Sequence, residues 1–250
     1  MNEHTYGDFF EGMRLFLIQF AKALTVVHEW YERNAENIAK YLLLFADIGI
    51  WYSATDKLAE KQIVFTDDLT LDFAKKIYES SNIDILVQEY YFSNDARNMM
   101  MLIERCGGLK EITPYKKLYE EILDAYQRTH YHLACIGMFA ILDGVLADVS
   151  HMITSTSFNA RIKSIENKIS DKIELNEFDK KILCIYISME RIKETMFGDS
   201  RFYEVEPEEI NRHWLVHGRT RKSYTRYEFL KILLCLDAIS YMVRIGEKLE

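Results

Sequence analysis

From Asp8 to about Ala46 the apolar residues recur every three or four positions: Phe9, Met13, Phe16, Leu17, Phe20, Leu24, Val27, Tyr31. That spacing puts them on one face of a helix, so the stretch reads as one long helix or two in line. Thr66–Ser80 opens with a capping hydroxyl and early acids and then turns periodic, which predicts a helix. Asn82–Phe92 and Asp95–Cys106 read as two more, the second stopped by Gly107-Gly108. A second unit starts at Pro114, a residue suited to the first helical position. A long helix is expected from about Tyr115 to Met152; its middle, HLACIGMFAILDGVLADV, is nearly all apolar and reads as a central buried element. Gly137 and Gly144 within it allow another helix to approach closely. Asn159–Ile169 and Asn176–Phe197 supply two further helices, and Pro207–His217 a short one. Tyr224–Lys248 closes the chain with the stripe Phe229, Ile232, Leu233, Leu236, Ile239, Met242, Val243. No segment alternates as a strand does. The expected fold is all-α: a C-terminal helical bundle over residues 113–250, preceded by additional N-terminal helices over residues 1–112 that carry no chemical constellation.

Composition narrows this picture. The 250 residues are 49% apolar with only two prolines, which suits a well-filled helical core and argues against disorder. The net charge of -8 gives no whole-molecule field for nucleic acid, so any RNA affinity must come from a local patch. Cys106, Cys135, Cys184 and Cys235 form no CxxC pair and read as reduced thiols, which suits the cytoplasm. The start, MNEHTYGDFF, carries acids and no basic region, unlike a signal peptide. Tyr41–Tyr52 is too short to span a bilayer and contains Asp47, so a soluble protein without a membrane association is expected.

The stretch with chemistry in it is Asn211-Arg212-His213-Trp214-Leu215-Val216-His217-Gly218-Arg219. Pro207 fits a first turn, Glu208 and Glu209 fit the positive end of the helix dipole, and Gly218 reads as the left-handed residue that ends the helix. Arg212 and His217 are about 7.5 Å apart along an ideal axis, close enough for a long Arg and a shorter His to converge on one phosphate. His213 and His217 share a face. A free imidazole titrates near about 6.5, so either protonation state is reachable at neutral pH. These are parts for cutting RNA without a metal: imidazoles act as base and acid, and a guanidinium matches the charge developing on phosphorus.

From Asn211 to Arg226 the basic residues Arg212, Arg219, Arg221, Lys222 and Arg226 occur without any Asp or Glu. In an acidic chain this reads as a phosphate-binding loop, with Tyr224 and Tyr227 as base-stacking rings. Asp143, inside the apolar FAILDGVLADV, needs a partner in such surroundings; Arg212 or a motif histidine would serve, and an interhelical salt bridge without function is the alternative.

Residues 120–250 resemble HEPN domains, particularly those of abortive-infection and toxin–antitoxin systems. Asn211–Gly218 is similar to the family's Arg-polar-x-x-x-His motif. Tyr131–Leu146 (YHLACIGMFAILDGVL) is similar to its long apolar first helix, and Tyr227–Met242 to its closing helix. The resemblance implies a metal-independent endoribonuclease in phage defence, needing no cofactor. Arg212 and His217 would be catalytic, His213 would take the polar second position, and Asn211 and Asp143 would support them. It also implies a homodimer with a composite site and, in a toxin–antitoxin setting, a cognate antitoxin or regulatory partner. One His cannot readily be base and acid in the same turnover, so a second copy suits the chemistry too.

Two other readings stand beside this one. A catalytically silent module would bind RNA or protein through the basic loop while the motif holds helices together. A metal site would use His213 and His217 as ligands four residues apart, but it lacks an obvious third ligand nearby.

Overall fold

The computed structural model describes residues 35–66, 68–150, 177–198, 203 and 205–248. Every regular element among them is helical, so the all-α expectation holds. The helices are α1 (Ala35–Glu60), α2 (Leu71–Glu79), α3 (Ile83–Phe92), α4 (Arg97–Gly107), α5 (Lys116–Gln127), α6 (Tyr131–Ser150), α7 (Glu177–Met196), α8 (Arg212–Val216) and α9 (Arg226–Lys248). Short 3-10 turns cover Asn94–Ala96 and Lys110–Tyr115. The helices expected over residues 8–34 and 159–169 lie outside the described residues.

The chain divides into two compact units, Met1–Gly49 and Ile50–Glu250. Described residues of the first belong to the opening part of α1. Within the second, one hydrophobic core runs from Ala54 to Met242 and includes residues on both sides of position 112.

Helix starts follow side-chain capping. Thr70, rather than Thr66, begins α2: its hydroxyl accepts from Phe73 N at 3.2 Å. Asn82 caps α3 in the same way, accepting from Ile85 N at 3.2 Å. Gly108 closes α4, as the glycine pair suggested.

The single helix expected over residues 115–152 is two. Pro114 lies inside the 3-10 turn, α5 begins at Lys116, and the chain breaks at Arg128–His130 with Thr129 at φ 62°. The break lets α5 fold back along α6. The glycines of α6 make room for it: a Cβ on Gly137 would lie 2.5 Å from Ile122 Cγ1 of α5, and one on Gly144 2.5 Å from the ring of Tyr115, in the 3-10 turn before α5. The helices approach through positions where no side chain intervenes.

α6, read as a central buried helix, packs on α5, α8 and α9, and the most completely buried helix is α9. Every residue from Phe229 to Met242 is buried, including Lys231, Asp237 and Ser240. It packs on α6 and α4. Its buried charges are matched. Arg105 of α4 donates to both oxygens of Asp237 at 2.8 Å, which offsets the desolvation of that carboxylate. Lys231 sits 4.7 Å from the Tyr227 ring and 3.9 Å from Glu209. Burial lowers the Lys231 pKa, opposed chiefly by Glu209. By length and composition α6 could cross a membrane, but half of it is buried against its neighbours while Leu133 is 61% exposed. All four cysteines are buried free thiols.

Candidate functional site

Arg212 opens α8 and His217 closes it, but the helix is shorter than the residues from Pro207 suggested. It has only 5 residues, and 207–210 are not helical. Two interactions stop it from starting earlier. The Asn211 side chain accepts from Trp214 N at 3.2 Å, the bond of an N-cap. Lys222 Nζ donates to the carbonyl oxygens of Pro207 and Glu208, and to that of Glu209 at 3.4 Å, taking acceptors that a longer helix would need. Glu208 and Glu209 therefore do not occupy a first turn.

The far end is as well defined. Gly218 lies at φ 64°, its N–H donates to Leu215 O at 3.0 Å, and Arg219 N donates to Trp214 O at 2.9 Å. This pair of bonds is the Schellman arrangement, and glycine is suited to it because its left-handed φ is costly for other residues. Trp214 and Leu215 face the core, and Val216 and His217 face outward. The imidazoles of His213 and His217 lie 4.6 Å apart between ring centroids at 60°. One turn thus carries two adjacent imidazoles, one exposed and one half-buried.

Arg212 reaches α6. Its Nε donates to Asp143 Oδ2 at 3.1 Å, and Nη2 contacts the same oxygen. The Arg212 guanidinium is thus one of the partners considered for Asp143. Both side chains remain about three-tenths exposed, at 29% and 30%, so one face of the pair is open to solvent.

Asn211 is buried and does more than cap. Its Nδ2 donates to Thr195 O at 3.2 Å and Gly198 O at 3.1 Å, fastening the start of α8 to the end of α7. Gly198 is needed there, since a Cβ would collide with the Glu194 carbonyl oxygen.

In the basic loop after α8, several side chains have partners within the fold. Lys222 is committed to the backbone carbonyls of 207–209. Tyr224 is 9% exposed, with its ring 4.9 Å from that of His132. Burial pushes its hydroxyl up to about 12, partly opposed by Thr220. Tyr227 is buried and donates to Asp84 Oδ1 at 2.9 Å. The Arg226 guanidinium covers the Phe92 ring at 4.3 Å. In each case a neighbour distant in sequence claims the side chain. The Arg219 and Arg221 side chains are exposed beside the motif.

Glu206 organises this loop. It accepts from the Thr220 hydroxyl and, at 3.1 Å, from Arg221 N. Slight burial would raise its pKa, but these two bonds and the Lys222 and Arg221 charges outweigh it, so the carboxyl sits below its ordinary value.

Sequence reasoning missed Gln62. It is 1% exposed and pairs with the backbone of Ile210, 148 residues away. The one local signal is a polar amide immediately before the apolar run Ile63-Val64-Phe65.

Among the described residues, no group of three His, Cys, Asp or Glu side chains is placed to hold a metal ion. No family model, curated protein or solved structure matches the chain, so the meaning of the site rests on its own residues and geometry.

Proposed function

We propose that this protein is a metal-independent endoribonuclease of the HEPN type, acting in the cytoplasm in phage defence or as the toxin of a toxin–antitoxin pair. The carrying observation is that Arg212, His213 and His217 project from one short turn capped at both ends, with the two imidazoles 4.6 Å apart. An imidazole takes the proton from a ribose 2′-OH, and the freed oxygen attacks phosphorus. The bond to the 5′-oxygen breaks, and an imidazolium returns a proton to that leaving oxygen. Arg212 offsets the charge that develops on the phosphoryl oxygens. The products are a 2′,3′-cyclic phosphate and a 5′-hydroxyl.

In-line attack places the entering and leaving oxygens on opposite sides of phosphorus. Two rings as close as His213 and His217 serve one side best, which favours a homodimer whose second copy supplies the other group. Arg219 and Arg221, exposed beside the motif, suit contacts to flanking phosphates.

The test is cleavage of total tRNA and mRNA in EDTA by the wild type and by R212A/H217A. Cleavage by the wild type alone, with cyclic phosphate ends, is expected. Equal cleavage by the double variant would overturn the assignment.

A second reading has its own support. Arg212 joins α8 to α6 through Asp143, while Lys222 and Tyr224 serve the fold, as in a silent RNA- or protein-binding module. That reading expects salt-dependent RNA binding without cleavage and a lowered melting temperature in R212A.

A further inference from the structure

α8 has 5 residues and too few internal hydrogen bonds to set its own direction. What precedes Arg212 therefore sets where the motif points. Ile210 is buried, and the partner of its backbone lies 148 residues earlier in the chain. Gln62 Nε2 donates to Ile210 O at 2.9 Å, and Gln62 Oε1 accepts from Ile210 N at 2.9 Å. One side-chain amide reproduces the two-bond pairing of a neighbouring strand.

Gln62 is itself held rigidly. It follows α1 with φ 56°, its N–H donates to Ala59 O at 2.9 Å, and Ile63 N donates to Leu58 O at 2.9 Å. Three residues on, Phe65 N donates to Ser188 Oγ of α7 at 3.1 Å. The entry to α8 is thus gripped from two sides: Gln62 holds residue 210, and Asn211 holds the Thr195 and Gly198 carbonyls. The chemistry at position 62 is narrow. An apolar side chain would leave a buried N–H and C=O unpaired. A carboxylate could accept from Ile210 N but would face Ile210 O without a proton to donate.

The geometry points to Gln62 as a positioning residue of the Arg212–His217 site, acting only through the Ile210 peptide and touching no substrate. This inference rests on the ribonuclease reading for its kinetic consequence but not for its structural one. Displacing a catalytic group by about 1 Å costs on the order of 100-fold in rate, so a grip on residue 210 is felt two residues later.

The test compares Q62A and Q62E with S188A, which removes a buried bond to the same loop without touching residue 210. Three quantities are read in the full chain: kcat and KM for RNA cleavage in EDTA, hydrogen exchange of the amides of 210–217, and the imidazole proton resonances of His213 and His217. Both Gln62 variants are expected to lose roughly 10- to 100-fold in kcat, with KM changed less than about twofold. Exchange over 210–217 should quicken and both imidazole signals should shift. S188A should keep kcat within about twofold of the wild type even where its melting temperature falls as far. An unchanged kcat in Q62A, or an equal loss in S188A, would overturn the inference. A wild type that cuts no RNA would sink the ribonuclease reading instead. Exchange and imidazole signals then decide alone: unchanged in Q62A, they refute the positioning role; changed there and not in S188A, they sustain it.

Discussion

Arg212 and Asp143 meet through a single carboxylate oxygen, Oδ2, which faces both Nε and Nη2 of the guanidinium. The pair ties a five-residue turn to a long helix, so it has a mechanical role whatever the site does. Partial exposure limits its worth to about 1 kcal/mol or less. D143N should therefore lower the melting temperature by no more than roughly 2–4 °C. If Arg212 must be aimed by Asp143, RNA cleavage should fall much further than stability. Calorimetry and the cleavage assay on one preparation check this, and a proportional loss of both would reduce Asp143 to a structural partner.

His217 and His213 differ in exposure, and substitution should separate them. H217A is expected to lose on the order of 10²- to 10⁴-fold in kcat, the range for removing a general acid or base. H213A, at the half-buried position, should lose less. Single-turnover cleavage measures both, and the reverse order would exchange their roles.

Asn211 makes three hydrogen bonds from a buried position. N211A removes the cap of α8 and strands the Thr195 and Gly198 carbonyls. The cost should be about 2 kcal/mol, or roughly 4–8 °C in melting temperature. N211S keeps the cap but reaches neither carbonyl, so it should fall between the wild type and N211A in thermal unfolding.

Gly137 has no room for a side chain, because its Cβ would sit 2.5 Å from Ile122 Cγ1. G137A should cost about 1–3 kcal/mol through overpacking. Shortening the neighbour in G137A/I122A should recover part of that loss, a non-additivity that denaturant unfolding detects.

Glu206 gives the loop a pH dependence whose sign is set by its lowered pKa. A carboxyl depressed in the folded state contributes stability above its ordinary value of 4.5 and loses it as pH falls through the folded value. The protection of the amides of 205–226, measured as hydrogen exchange relative to the intrinsic rate at each pH, should therefore fall on acidification below that range in the wild type. In E206Q the loop should be loose at neutral pH already and change little on acidification. Identical profiles for the two proteins would remove Glu206 from this role.

Much of the fold was legible in the sequence because helix formation is a local property. Apolar spacing, the helix over 82–92, the Gly107-Gly108 stop and the left-handed Gly218 all depend on residues within a few positions of themselves. The same locality placed Arg212, His213 and His217 on one turn and put His213 and His217 on one face.

Features that depend on distant partners were not legible. The break at Arg128–His130 has neither Gly nor Pro to mark it; it follows from α5 folding back on Gly137, with Tyr115 of the preceding turn against Gly144. The start of α8 was misplaced because Lys222 and Gln62 claim the backbone of 207–210 from outside it. The fold partners of Tyr224 and Lys222 were not legible either: the Tyr224 ring meets that of His132, and Lys222 donates to three carbonyls. Periodicity and capping are short-range, so the chain alone specifies its helices and the turn that carries the motif. Which cations remain exposed and what grips the motif depend on groups that meet only when the core closes, because desolvation favours a partner for a buried polar atom wherever the fold brings one.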